Sequence, residues 1–144
     1  MAVGPVDMTA REGGCLCGAV RYTLNAEPQA VVLCHCTHCR RQSGSVFSTN
    51  LVFAQAHVAL RGAPRRYRDS GDSGQPVWRH FCGECGAPLF TIAEAMPGVV
   101  IVKAGTIDDT PDWRPTVEIY VDRAAPWLPR LEGTARYGRS RRPS

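Results

Sequence analysis

"FCGECGAPLF", Phe81 to Phe90, decides how this chain folds. Cys82 and Cys85 stand three apart around Gly83 and Glu84, with Gly86 just behind. A turn that tight lets both sulfurs face one ion, and its glycines let backbone amides approach the thiolates. "VWRHF" (77–81) enters the turn and "PLFTI" (88–92) leaves it, both rich in strand-forming residues. The unit reads as a zinc knuckle between two strands. It offers two ligands, whereas a closed structural zinc takes four.

The second pair is Cys15-Leu16-Cys17, which follows Gly13-Gly14. A four-thiolate centre of Cys15, Cys17, Cys82 and Cys85 would pin early chain to late chain. It would replace core that a small β domain lacks. The remaining thiols lie in "CHCTHCRRQSGS" (34–45) as Cys34, Cys36 and Cys39. Three thiolates within six residues can cap one face of an ion and leave the fourth position open, the pattern of a catalytic zinc. His35 or His38 could instead supply a fourth ligand and close the site. As residues between the ligands of a tight loop, both are expected to point outward. His57 and His80 fall in strand-like segments and read as ordinary. Disulfides fit poorly: seven cysteines is an odd number, and C-x-C pairs are strained when bridged locally. Clustering at ligand spacing also argues against scattered buried thiols. Soft thiolates favour zinc ahead of an iron–sulfur cluster.

Outward from these clusters the chain is a run of short strands. Expected strands cover 19–24, 30–33, 46–53, 57–61, 65–68, 77–81, 88–92, 99–105 and 116–121, with alternation clearest in "AVRYTL" and "VFSTNLVF". Long helical periodicity is nearly absent; one short helix is expected after Cys39. The fold class is therefore mainly β: a small zinc-stapled sheet domain. "GDSG" (71–74) matches the surroundings of a protease nucleophile, but that fold needs two barrels and a longer chain, so the segment reads as a loop.

A chain of 144 residues suits one domain. Residues 1–135 are expected to form it, and 136–144 a basic, disordered tail. The net charge of +4 rests on that tail: without Arg136, Arg139, Arg141 and Arg142 the chain holds 13 basic and 13 acidic residues. No aromatic-interleaved basic motif suggests nucleic-acid binding. No apolar run suits a membrane span, and the first residues lack a secretory pattern, so the expected location is the cytoplasm, where thiols stay reduced. A homodimer is compatible with the sequence but not specified by it.

A zinc on three thiolates is a weak Lewis acid and suits a fourth sulfur. A small thiol is thus the natural substrate. Arg40 and Arg41 could meet its carboxylates, with Gln42, Ser43 and Ser45 as polar neighbours. Neither Glu84 nor the Asp108–Asp109 pair earns a proton-transfer role from spacing. A non-catalytic, zinc-stabilised binding module is the alternative reading.

"GGCLCGAVRY" (13–22), "CHCTHCRRQSGS" (34–45), "FCGECGAPLF" (81–90), "KAGTIDD" (103–109) and "APWL" (125–128) occur in an order that resembles the glutathione-dependent formaldehyde-activating enzyme family, also called the centromere protein V type domain. The resemblance implies a fold like that of Mss4 with two zinc ions per chain. It implies a structural zinc on Cys15, Cys17, Cys82 and Cys85 and a catalytic zinc on Cys34, Cys36 and Cys39. It also implies a carbon–sulfur lyase that forms S-hydroxymethylglutathione from formaldehyde and glutathione. The chain is shorter than the enzyme that names the family, so the metal chemistry carries over more firmly than the substrate.

Overall fold

The computed structural model describes residues 10–109 and 112–139. In chain order the elements are β1 (Arg11–Gly14), β2 (Arg21–Leu24), β3 (Ala30–Cys34), α1 (Thr37–Ser43), β4 (Ser48–Ala54), β5 (Val58–Arg61), β6 (Arg65–Ser70), β7 (Pro76–Phe81), β8 (Pro88–Ala93), β9 (Val99–Lys103), β10 (Val117–Ile119) and β11 (Ala135–Arg136). The fold is mainly β, as expected. Strands β1, β2 and β5 make a small sheet, and the other eight make a large one in the order β11-β10-β3-β4-β9-β8-β7-β6. Pairing is antiparallel throughout, except that β10 runs parallel to both β3 and β11. No helix among the described residues is long and apolar enough to cross a membrane.

The period-two pattern of the strands sorts side chains onto two faces. One face of the large sheet carries Leu51, Phe53, Phe90, Val100 and Val102, which form the apolar core with Tyr22 and Leu24 of the small sheet. Each such side chain contributes about 1.5–3 kcal/mol on full burial. Gly13 is required at the seam: a Cβ there would lie 2.3 Å from the Tyr22 hydroxyl and 2.4 Å from the Thr106 carbonyl oxygen. Tyr22 keeps its own partner, a 2.6 Å bond to the Thr106 hydroxyl.

The opposite face is polar and yet buried. Ser48, Asn50, Arg79, Thr91 and Lys103 all lie under cover. Register explains their company: Cys34 pairs with Ser48, Asn50 with Lys103, and Thr91 with both Arg79 and Ile101. Helix α1 packs against β4, and its Cys39 feels the Lys103 and Arg79 charges of this face.

Three elements differ from expectation. The helix starts at Thr37 rather than after Cys39, because the Cys36 sulfur caps it by accepting the Cys39 amide at 3.2 Å. Strand β1 carries two glycines, which hide its pleat in the sequence. The expected tail boundary at residue 136 falls inside β11. Arg136 pairs with Glu118, Tyr120 N donates to Arg139 O, and Val121 N donates to Tyr137 O. Residues 136–139 are therefore docked on the sheet; residues 140–144 lie outside the described residues.

Candidate metal centres

The first centre joins the chain after β1 to the β7–β8 turn. Cys15, Cys17, Cys82 and Cys85 place their sulfurs within 4.8 Å of one another. Cys17 is 3.7 Å from both Cys15 and Cys82. Four sulfurs about 2.3 Å from a tetrahedral zinc stand about 3.8 Å apart, so the set fits such an ion. Backbone amides already face the sulfurs: Val20 N donates to Cys15 at 3.3 Å, and Glu84 N and Cys85 N donate to Cys82 at 3.4 and 3.5 Å. Gly86, at φ 78°, lets the knuckle turn back so that its amide reaches the Cys82 carbonyl at 2.8 Å. The Ala87 amide, ahead of smaller effects, draws Cys85 down to about 6.

The second centre is local. Cys34 ends β3, Cys36 caps α1, and Cys39 sits in its first turn; the three sulfurs lie within 4.8 Å of one another. No fourth His, Cys, Asp or Glu joins them among the described residues. His35 does not point outward as expected. The strand pleat continues one residue past Cys34, with His35 N donating to Ile119 O, so the ring turns to the far side of the sheet. There it is fully buried, with Nε2 2.9 Å from the Glu118 carboxylate. His38 does face outward and holds the Asp69 carboxylate at 2.8 Å through Nδ1.

Positive charge lies beneath this centre as well as on the surface. Hydrogen bonds from the Cys34 and Cys36 thiols drive Cys39 well below the usual thiol range, and the Lys103 and Arg79 charges add to this. Burial pushes Lys103 down; its Nζ donates to Ser48 Oγ at 2.8 Å and Asn50 Oδ1 at 3.2 Å. Burial also opposes the charge on Arg79, but the Asp69 bond and the Cys39 thiolate outweigh it. Were a divalent ion held by all three sulfurs as thiolates, these two buried cations would offset the one negative charge left over. Sequence reading missed both. Their signal is a cation at the alternating inward position of "VWRHF" and "VVIVK".

A cavity of about 340 Å³ opens beside the three thiols. Its mouth carries Asp72, Tyr120 and Arg123. Tyr120 stands in the left-handed region at φ 56°, where a non-glycine residue is strained, and its hydroxyl donates to Asp72 across the mouth. The polar residues singled out after Cys39 lie elsewhere. Arg40 and Arg41 are exposed on α1. Arg41 and Gln42 border a separate pocket of about 410 Å³ with Tyr67 and Asp69. Ser43 and Ser45 border a larger cavity, of about 810 Å³, on the side of the first centre.

The fold and the two thiol sets define a small β domain able to hold two soft metal ions, one between four sulfurs and one between three. The profile described as "Glutathione-dependent formaldehyde-activating enzyme" matches residues 10–123, and the chain belongs to that family. It is 29% identical over 123 residues to a Halomonas elongata protein named "Putative glutathione-dependent formaldehyde-activating enzyme", covering 81% of this chain and 78% of that one. A crystal structure of a Rhodobacter sphaeroides protein shares the fold, with a TM-score of 0.53 at 20% identity over 72% of this chain and 91% of that one.

Proposed function

We propose that this protein is a zinc-dependent carbon–sulfur lyase-type enzyme that interconverts glutathione plus an aldehyde with their S-hydroxyalkyl adduct. The observation that carries the reading is the set of three thiols, without a fourth protein ligand among the described residues, at the wall of an accessible cavity. On this reading Cys15, Cys17, Cys82 and Cys85 hold a structural zinc, and Cys34, Cys36 and Cys39 hold the catalytic one. When bound at the second centre, zinc supplies a Lewis-acid position that favours a substrate sulfur in its thiolate form.

The remaining work falls to the chain. Hydrogen bonds from Cys34 and Cys36 favour Cys39 as the thiolate, and the Lys103 and Arg79 charges add to this. Arg123 at the mouth, with Arg40 and Arg41 on α1, supplies cations for the two carboxylates of glutathione. Gln42 and Ser45, expected from the sequence to touch the thiol substrate, line other pockets and take no part at this cavity. The sulfur lone pair attacks the carbonyl carbon, a C–S bond forms, and the C=O π pair moves to oxygen, which takes up the proton the thiol released. The reverse step cleaves the adduct. Thiol chemistry of this kind, with all seven cysteines free, belongs in a reducing compartment such as the cytoplasm.

The binding-module alternative requires the second centre to be closed by a histidine, whereas His35 and His38 engage Glu118 and Asp69. The test is carbon-13 NMR of labelled formaldehyde with glutathione. The zinc-loaded protein is expected to speed exchange between free aldehyde and adduct, and Cys36→Ser to lose that effect. Wild-type protein holding two zinc ions but leaving the exchange rate unchanged would sink the reading.

A further inference from the structure

Thr91 lies mid-sheet on the polar face, between Arg79 and Ile101 of the neighbouring strands. It is 95% buried, lines the cavity of the three thiols, and its hydroxyl has no partner among the described residues. Among the described residues, the bonds of its polar neighbours run to other groups. Arg79 Nε donates to Asp69 at 2.8 Å, and Asn50 Oδ1 accepts from Ser48 and Lys103. A buried hydroxyl left unpaired destabilises the fold, so it marks a place where a ligand oxygen would be welcome.

Two residues along the same face the lining changes character. Val77 pairs with Ala93 one step beyond Arg79 and Thr91, and both line the cavity with Met96 and Ile101. These side chains are only half-buried. An apolar wall thus begins where the hydroxyl ends. Formaldehyde has no substituent to cover that wall, and it would fill little of the 340 Å³.

We propose that this cavity is a carbonyl subsite for an aldehyde larger than formaldehyde, with the Thr91 hydroxyl on the carbonyl oxygen and the Val77–Ala93–Met96–Ile101 wall against an apolar substituent. The inference rests on the thiol–aldehyde reaction proposed above and names its carbon partner. As sulfur attacks and the C–S bond forms, the C=O π pair collects on oxygen. The Thr91 hydrogen bond meets that growing charge. The proton released by the thiol ends on the same oxygen, giving a hemithioacetal without any redox change. Thr91 is then a catalytic residue, since it touches a reacting atom.

The experiment uses the zinc-loaded full chain, glutathione, and a series from acetaldehyde through propanal to butanal, with formaldehyde as a separate reference because its unsubstituted carbonyl is intrinsically more electrophilic. kcat/KM is expected to rise about fourfold per methylene, as burial of one CH₂ against an apolar wall provides. Thr91→Val is expected to lower kcat roughly 10- to 100-fold with the KM for glutathione unchanged, and Thr91→Ser to restore most of it. The melting temperature of Thr91→Val is expected to equal or exceed that of wild type, because the removed group had no partner. A second, unreactive probe is the matching amide series up to butyramide, followed by ligand-detected NMR. Amide binding that strengthens with chain length and weakens in Thr91→Val supports the subsite. If butyramide binds in that way but no aldehyde turns over, the subsite stands and the proposed reaction falls. If formaldehyde turns over with no gain along the series, and Thr91→Val loses stability and activity together, the subsite falls and the reaction stands. Neither turnover nor amide binding overturns both.

Discussion

At the residue scale, the two thiol sets should respond differently to loss of one sulfur. Cys82→Ser opens a centre whose ligands bridge distant parts of the chain. Structural zinc contributes about 10–16 kcal/mol in small domains, as much as or more than a domain's whole stability. The variant should therefore aggregate or lose its cooperative melt; a folded Cys82→Ser protein retaining two zinc ions would contradict the four-plus-three division. Cys36→Ser removes one ligand of a local centre and should melt as one unit with a single zinc, as mass spectrometry under native conditions would count. The cysteines were legible because metal ligation by short loops imposes spacing. Arg79, Lys103 and Thr91 were not, because their meaning depends on register between strands. Nothing in "VWRHF" says that its arginine will lie beside Thr91 and under a thiolate 40 residues earlier.

At the element scale, the edge formed by β10 and β11 depends on one carboxylate. Glu118 accepts from Thr134, His35 and Arg136, and these bonds, Thr134 first, hold it below its ordinary value of 4.5 although burial works the other way. A carboxylate held low in the native state stabilises the fold fully above its unfolded value and less as pH falls through its native one. The melting-temperature gap between wild type and Glu118→Gln should thus be full at pH 7 and shrink below about pH 4. An unchanged gap down to pH 3 would count against this assignment. Arg136→Ala, which leaves the carboxylate with one partner fewer, should cost about 1–3 kcal/mol in urea unfolding at pH 7. The strands of the central hairpins were legible from alternation. β11 was not: its two residues carry no period, and the basic composition around it reads as solvated chain.

At the scale of the whole molecule, mainly-β character followed from composition and punctuation, but the order β11-β10-β3-β4 did not. Parallel pairing of β10 with β3 joins residues more than 80 apart, and no local pattern encodes it. The unequal centres make a further expectation. A strong chelator under reducing conditions should strip the second centre first, with the far-ultraviolet circular dichroism unchanged, and unfold the chain only on removal of the second ion. A single step in which both ions and the β signal vanish together would refute independent centres. The same asymmetry bears on biosynthesis. A nascent chain leaving the ribosome displays Cys15, Cys17, Cys34, Cys36 and Cys39 long before Cys82 and Cys85 exist. On the proposed zinc reading, early zinc would meet a mixed set of five thiols, and the four-plus-three partition would be reached by later exchange onto the knuckle. If zinc is held as proposed, recombinant yields should be better when zinc is supplied after induction than before it.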